Sequence, residues 1–153
     1  MAGPKPGDAA PDFEQAWTGE GNFKLSDRRG RWVVLAFYPA DATAVCTKQF
    51  CDYRDRGEQL DALDAEMVGI SPQGIESHEK FIADNDLNVP LVADEGLDVA
   101  AAYGIKLGPS LRRAVFIVDP EGIIRHRDVT LLGLSYPDGD EISRALAKAR
   151  VAA

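Results

Sequence analysis

The sequence predicts an α/β fold, a central mixed β-sheet flanked by helices with an N-terminal β-hairpin extension. Three observations carry that reading. Trp32–Tyr38, Met67–Ser71 and Ala114–Val118 are short apolar runs rich in β-branched residues, the pattern of strands covered on both faces. Stretches with helical spacing separate these runs, and strand–helix alternation requires right-handed crossovers with helices on both sheet faces. The last run is followed by Asp119-Pro120-Glu121-Gly122 and then by the alternating stretch Ile123–Val129, a turn and its antiparallel partner strand.

The bulk numbers narrow the function. The 153 residues suit one domain, residues 1–153, with a single sizeable core. The net charge of −8, from 17 basic and 25 acidic residues, argues against nucleic acid or an anionic membrane surface as main partner. No apolar run approaches the ~20 residues of a membrane helix. Met1–Asp8 lacks the apolar centre of a secretory signal, so a cytoplasmic location is expected. Two cysteines are too few for a disulfide scaffold. Without His or acidic partners at ligand spacing they also make no structural zinc site. In a reducing compartment such a pair points to catalysis before structure.

Taken in order, Pro4–Pro11 is an irregular lead-in rich in Pro, Gly and Ala. Phe13–Trp17 and Phe23–Leu25 flank the turn cluster Gly19-Glu20-Gly21-Asn22 and read as a hairpin. Ser26–Gly30 is a capped turn or a single helical turn. Trp32–Tyr38 is the strongest strand and stops at Pro39. From Thr43 to about Ala65 the pattern is helical, with a break near Arg54–Gly57 and with Leu60 and Leu63 on one face. Ser77–Asp84 is a helix begun by polar cap residues and stopped near Asn85. Val89–Asp94 is extended at most, since Pro90 cannot donate to a ladder. Leu97–Tyr103 is a small alanine-rich helix ended by Gly104. Asp138–Glu141 caps a closing helix whose apolar side carries Ile142, Leu146 and Ala149. The order β, α, β, α, hairpin, α resembles the thioredoxin-type sandwich.

Cys46 follows a strand–loop junction and sits where a helix begins. The bland reading is a small buried hydrophobe. The sharper one is a nucleophile, because the unpaired N–H groups and positive dipole of a helix N-terminus favour a thiolate. Thr43, three residues earlier, can cap that helix and aim its hydroxyl at the sulfur. Pro39 ends the strand for want of an N–H, and its ring beside the thiol limits water access. Cys51 lies five residues after Cys46, roughly 140° round a continuous helix with Cα atoms more than ~7 Å apart. The two therefore never pair, or they pair only when the helix unwinds. An arginine at the start of the third core strand can reach the N-terminus of the first helix, but spacing does not separate Arg113 from Arg112. His78 and Glu79 read as solvated surface. Trp17, Trp32, Phe37 and Tyr38 read as core or site-wall aromatics, and no Gly-rich phosphate loop follows a strand.

Pro39-x-x-x-Thr43-x-x-Cys46 resembles the active-site signature of peroxiredoxins, and Arg113–Asp119 resembles their arginine-bearing strand. Cys51 followed by Asp52-Tyr53-Arg54-Asp55 is similar to the peroxiredoxin Q (bacterioferritin comigratory protein) subfamily. So are Ser71 and Ser77-His78-Glu79-Lys80-Phe81. The resemblance runs from about Gly7 to the end of the chain and implies a thioredoxin-like fold. It further implies a thiol peroxidase without metal, haem or flavin, with Pro39, Thr43, Cys46 and Arg113 as its catalytic set. Gln49 falls where the family carries Glu or Gln. On this reading Cys46 attacks hydrogen peroxide or an alkyl hydroperoxide and becomes a sulfenic acid. Cys51 resolves it as a disulfide, and thioredoxin or a similar dithiol reduces the disulfide. Monomer and weak homodimer both stay open. One departure stands out: Ala44-Val45 replaces the subfamily's usual Pro-Gly. Valine does not tolerate positive φ as glycine does, so a loop needing that conformation would have to differ here. A disulfide oxidoreductase of the same fold is the second reading, although its usual pair is Cys-x-x-Cys. A binding or chaperone module with incidental thiols is the third.

Overall fold

The computed structural model describes residues 3–62, 64–130 and 135–152, with the Leu60 side chain omitted. The expected Leu60–Leu63 face therefore lies outside the described residues. The elements run β1 Glu14–Ala16, β2 Asn22–Lys24, a 3-10 turn Leu25–Arg28, β3 Trp32–Phe37, α1 Ala44–Asp55 and α2 Gly57–Ala62. They continue with β4 Ala65–Ser71, α3 Ile75–Asn85, β5 Leu91–Ala93, α4 Asp98–Ala102, β6 Lys106–Leu107 and β7 Ser110–Leu111. The chain closes with β8 Ala114–Val118, β9 Ile124–Val129 and α5 Gly139–Ala152.

The main sheet has the order β5-β4-β3-β8-β9. β3, β4 and β5 are parallel, β8 runs antiparallel to β3, and β9 runs antiparallel to β8. The predicted mixed sheet is thus present, with the longest wholly apolar strand, β3, at its centre. Because side chains alternate along a strand, β3 feeds two cores. Val33, Leu35 and Phe37 point to one face, under β1, β2 and α4, with Phe23, Tyr103 and Phe116. Val34, Ala36 and Tyr38 point to the other, under α1, α3 and α5, with Cys46, Phe50, Phe81 and Leu146. Each large side chain fully removed from water there contributes about 1.5–3 kcal/mol. Gly69 on β4 lets α1 sit close, since a Cβ there would lie 2.8 Å from Phe50 Cε1 and 2.7 Å from Leu91 Cδ2.

The lead-in is less irregular than its composition suggests. Gly7 N–H donates to Ile124 O (2.8 Å), Ile124 N–H to Asp8 O (2.9 Å) and Ala10 N–H to Gly122 O (2.9 Å), all alongside β9. At the opposite side of the sheet, Thr18 N–H donates to Leu91 O (3.0 Å) and Leu91 N–H to Thr18 Oγ1 (3.1 Å) on β5. One local expectation is corrected, and one unassigned segment gains structure. α3 starts at Gly74 with no side-chain cap. The segment after α4 forms the small β6–β7 hairpin, which turns through Gly108 at φ +56°. The helical break falls at Arg56, as expected. Among the described residues no helix is long and apolar enough to cross a membrane.

Candidate active site

β3 leaves the sheet at Tyr38, whose N–H still donates to Ile70 O (3.0 Å). Half-buried Pro39 then opens a short loop. Ala42 in this loop has φ +61°, a left-handed conformation that costs an L-residue about 1–2 kcal/mol. Thr43 is the N-cap of α1, and its Oγ1 accepts from Cys46 N–H at 3.3 Å. Its hydroxyl points at Ala40 O (3.5 Å), so the cap forms as expected while the hydroxyl bonds backbone instead of sulfur. Ala44 and Val45 lie in the regular first turn of α1. The anticipated conflict with Val45 does not arise, because the positive φ falls one residue before Thr43.

Cys46 is fully buried in that first turn. Arg113, 4% exposed at the start of β8, places Nη1 3.3 Å from Cys46 Sγ. This geometry selects Arg113 over Arg112, which is half-buried and whose N–H is bonded to Ile105 O (2.8 Å). Arg113 Nη1 also donates to Gln49 Oε1. Gln49 Nε2 donates to Tyr53 Oη (2.8 Å), and Tyr53 Oη donates to Pro137 O (2.7 Å). Burial pushes the Tyr53 hydroxyl well above the usual phenol range, which keeps it a donor. Cys46, Gln49 and Tyr53 sit three and four residues apart and so share one face of α1. Arg113 Nε is buried without a partner.

Cys51 is half-buried on the same uninterrupted helix, with Sγ 4.0 Å from Asn85 Oδ1. Arg54 Nη1 donates to Asn85 O (2.7 Å), tying this part of α1 to the end of α3. Both thiols are free. The intact helix therefore separates them as the five-residue spacing requires.

The solvated-surface reading of His78 is wrong, although Glu79 is exposed as expected. His78 is 0% exposed. Its Nδ1 lies 2.7 Å from Asp41 Oδ2 and its Nε2 3.0 Å from Val92 O. Asp41 also accepts from Tyr38 Oη (2.6 Å) and Ser77 Oγ (2.7 Å). Burial drives the Asp41 carboxyl upward, but the bonds from His78, Tyr38 and Ser77 outweigh it and hold the group below its ordinary value. Burial and then the Asp41 charge push Tyr38 well above the phenol range. His78 stands three residues before Phe81, on the inner face of an amphipathic helix. That periodicity was the available signal.

Residues 6–127 match the AhpC/TSA family. Peroxiredoxin Bcp of Bacillus subtilis is 36% identical over 124 residues, which cover 76% of this chain and 79% of Bcp. The structure of BcpB from Mycobacterium tuberculosis aligns over 97% of both chains with a TM-score of 0.82 at 29% identity. Xanthomonas campestris bacterioferritin comigratory protein, described for its alkyl peroxide reduction activity, aligns with a TM-score of 0.80 at 25% identity. That alignment covers 90% of this chain and 92% of the other. With the fold shared across almost the whole chain, the protein belongs to the AhpC/TSA family, as a thiol-dependent peroxidase of the peroxiredoxin Q/Bcp kind.

Proposed function

We propose that Cys46 is the peroxidatic nucleophile for hydrogen peroxide and alkyl hydroperoxides, and that Cys51 resolves it. The observation that carries this reading is the guanidinium of Arg113 3.3 Å from a sulfur buried in the first turn of a helix. Arg113 and the helix N-terminus both set positive charge against a sulfur anion. The Cys46 thiolate attacks one peroxide oxygen, an S–O bond forms, and the O–O bond breaks. The departing hydroxide or alkoxide takes up a proton. The unpartnered Arg113 Nε is available to the peroxide oxygens as charge moves onto the leaving one. Thr43 fixes the helix start, and Pro39 screens the thiol from bulk water.

The sulfenic acid then condenses with the Cys51 thiol, which forms S–S and releases water. α1 must unwind for the sulfurs to meet. Thioredoxin or a similar dithiol reduces the product by exchange. Direct disulfide exchange with protein substrates fits less well, because the intact helix keeps the two sulfurs apart. The two cores share one sheet, which supports reading residues 1–153 as a single domain.

The test is peroxide-dependent oxidation of thioredoxin by wild type, Cys46→Ser and Cys51→Ser. Cys46→Ser is expected to show none. Cys51→Ser is expected to consume one peroxide per chain and then fail to sustain turnover. Activity in Cys46→Ser would remove the nucleophile assignment, and full turnover in Cys51→Ser would remove the resolving one.

A further inference from the structure

Asp41, His78, Tyr38 and Ser77 form a buried cluster beside the active-site loop, and none of their polar atoms bonds Cys46 Sγ. Its position explains what it does. Ala42, the strained left-handed alanine, comes between Asp41 and the Thr43 cap. Strained residues of this kind persist only where the surroundings over-determine them. The Asp41 carboxylate is held by three side chains from two elements, Tyr38 at the end of β3 and Ser77 and His78 on α3. The Asp41 N–H donates to Gln73 Oε1 (3.2 Å). His78 extends the connection to β5 through Val92 O. That carbonyl only accepts, so Nε2 is the donor in this bond.

We propose that the Asp41–His78 pair, braced by Tyr38 and Ser77, is a clamp that holds Ala42 in its left-handed conformation and thereby positions Thr43 and the first turn of α1, with Cys46 facing Arg113. His78 is thus a positioning residue for the peroxidatic thiol. The proposal rests on the reading of Cys46 as nucleophile. It also goes further, because one clamp acts on two steps with opposite sign. Releasing it disorders the geometry that peroxide attack needs, and it frees the buried sulfur to leave its pocket.

The experiment uses a Cys51→Ser background, in which Cys46 is the only thiol. First-turnover oxidation by hydrogen peroxide and alkylation by iodoacetamide are measured on pre-reduced protein, with and without His78→Gln. The expected result is peroxide oxidation slower by about ten- to a hundredfold with alkylation faster. A general loosening of the fold would also expose the buried sulfur, so the clamp is distinguished by rescue through Ala42, which general loosening would not give. Ala42→Gly, which adopts positive φ freely, is expected to restore the peroxide rate of the His78→Gln protein by at least about threefold. In the wild-type background it is expected to have a smaller effect. An unchanged peroxide rate in His78→Gln, or an equal effect of Ala42→Gly in both backgrounds, would overturn the clamp. If His78→Gln does not fold, Tyr38→Phe and Ser77→Ala decide. Each removes one donor to Asp41 and is expected to shift both rates less, with the same signs, and unchanged rates in both would overturn the clamp. Should the parent protein fail to react with peroxide, the nucleophile reading falls alone, because coupling of His78 and Ala42 remains readable in alkylation.

Discussion

A single nitrogen, Arg113 Nη1, serves both the sulfur of Cys46 and the amide oxygen of Gln49. The planar guanidinium can do this while its Nε stays buried and open. A lysine has no second nitrogen to leave open, because its ammonium is a single point charge on a flexible stem. Arg113→Lys is therefore expected to cut the first-turnover peroxide rate by about 10²–10³-fold, read by rapid mixing with hydrogen peroxide. Thr43→Ala tests the helix start separately. It removes the acceptor for Cys46 N–H and is expected to cost about 1 kcal/mol in urea unfolding. Pro39, Thr43 and Cys46 were legible in the sequence because their relations are local: a strand stop, a cap and a thiol in one short stretch. Arg113 needed the register of β8 against β3 to be told from its neighbour. The burial of His78 shows in its three-residue spacing to Phe81, but its partner, Asp41, lies 37 positions away, and nothing in the α3 sequence reports that contact.

Among elements, α1 carries the most constraints. One face holds Cys46, Gln49 and Tyr53 toward Arg113 and Pro137, and Phe50 packs onto the bare backbone of Gly69. Gly69→Ala would force the Phe50 ring and Leu91 aside. The expected cost is about 1–3 kcal/mol by chemical denaturation, with a slower peroxide rate if the helix start shifts too. The strands and the α1–α2 break at Arg56 could be read in advance, since apolar runs and Gly57 mark them strongly. β6 and β7 could not. Two-residue strands have no period to detect, and the hairpin exists because Gly108 turns back and Leu111 finds a buried site. α3 likewise begins where packing places Gly74, ahead of the polar residues that looked like its cap.

For the molecule as a whole, acid is the expected weak point. Asp119 accepts from Glu121 N–H, Ile123 N–H and Arg125 Nε. Burial raises its pKa, but these bonds outweigh burial and hold the folded value below the usual one, as also happens at Asp41. A depressed folded pKa gives stability that is complete above the unfolded value near ~3.9 and is lost as pH falls through the folded value. Asp119→Asn should thus be less stable than wild type at about pH 6, with the gap closing toward about pH 2 in urea titrations. The N-terminal segment has a different global effect. β5 and β9 are the two margins of the sheet, and unpaired margins recruit strands from other molecules. Gly7, Asp8 and Ala10 engage the chain at Gly122 and Ile124, while Thr18 engages Leu91. Beyond Ile124, β9 carries Arg125, His126, Arg127 and Asp128, charges that discourage intermolecular pairing. Deleting residues 1–18 is therefore expected to produce light-scattering aggregates where wild type stays clear. By fastening both margins, a segment outside the active site keeps the sheet from growing past its own chain.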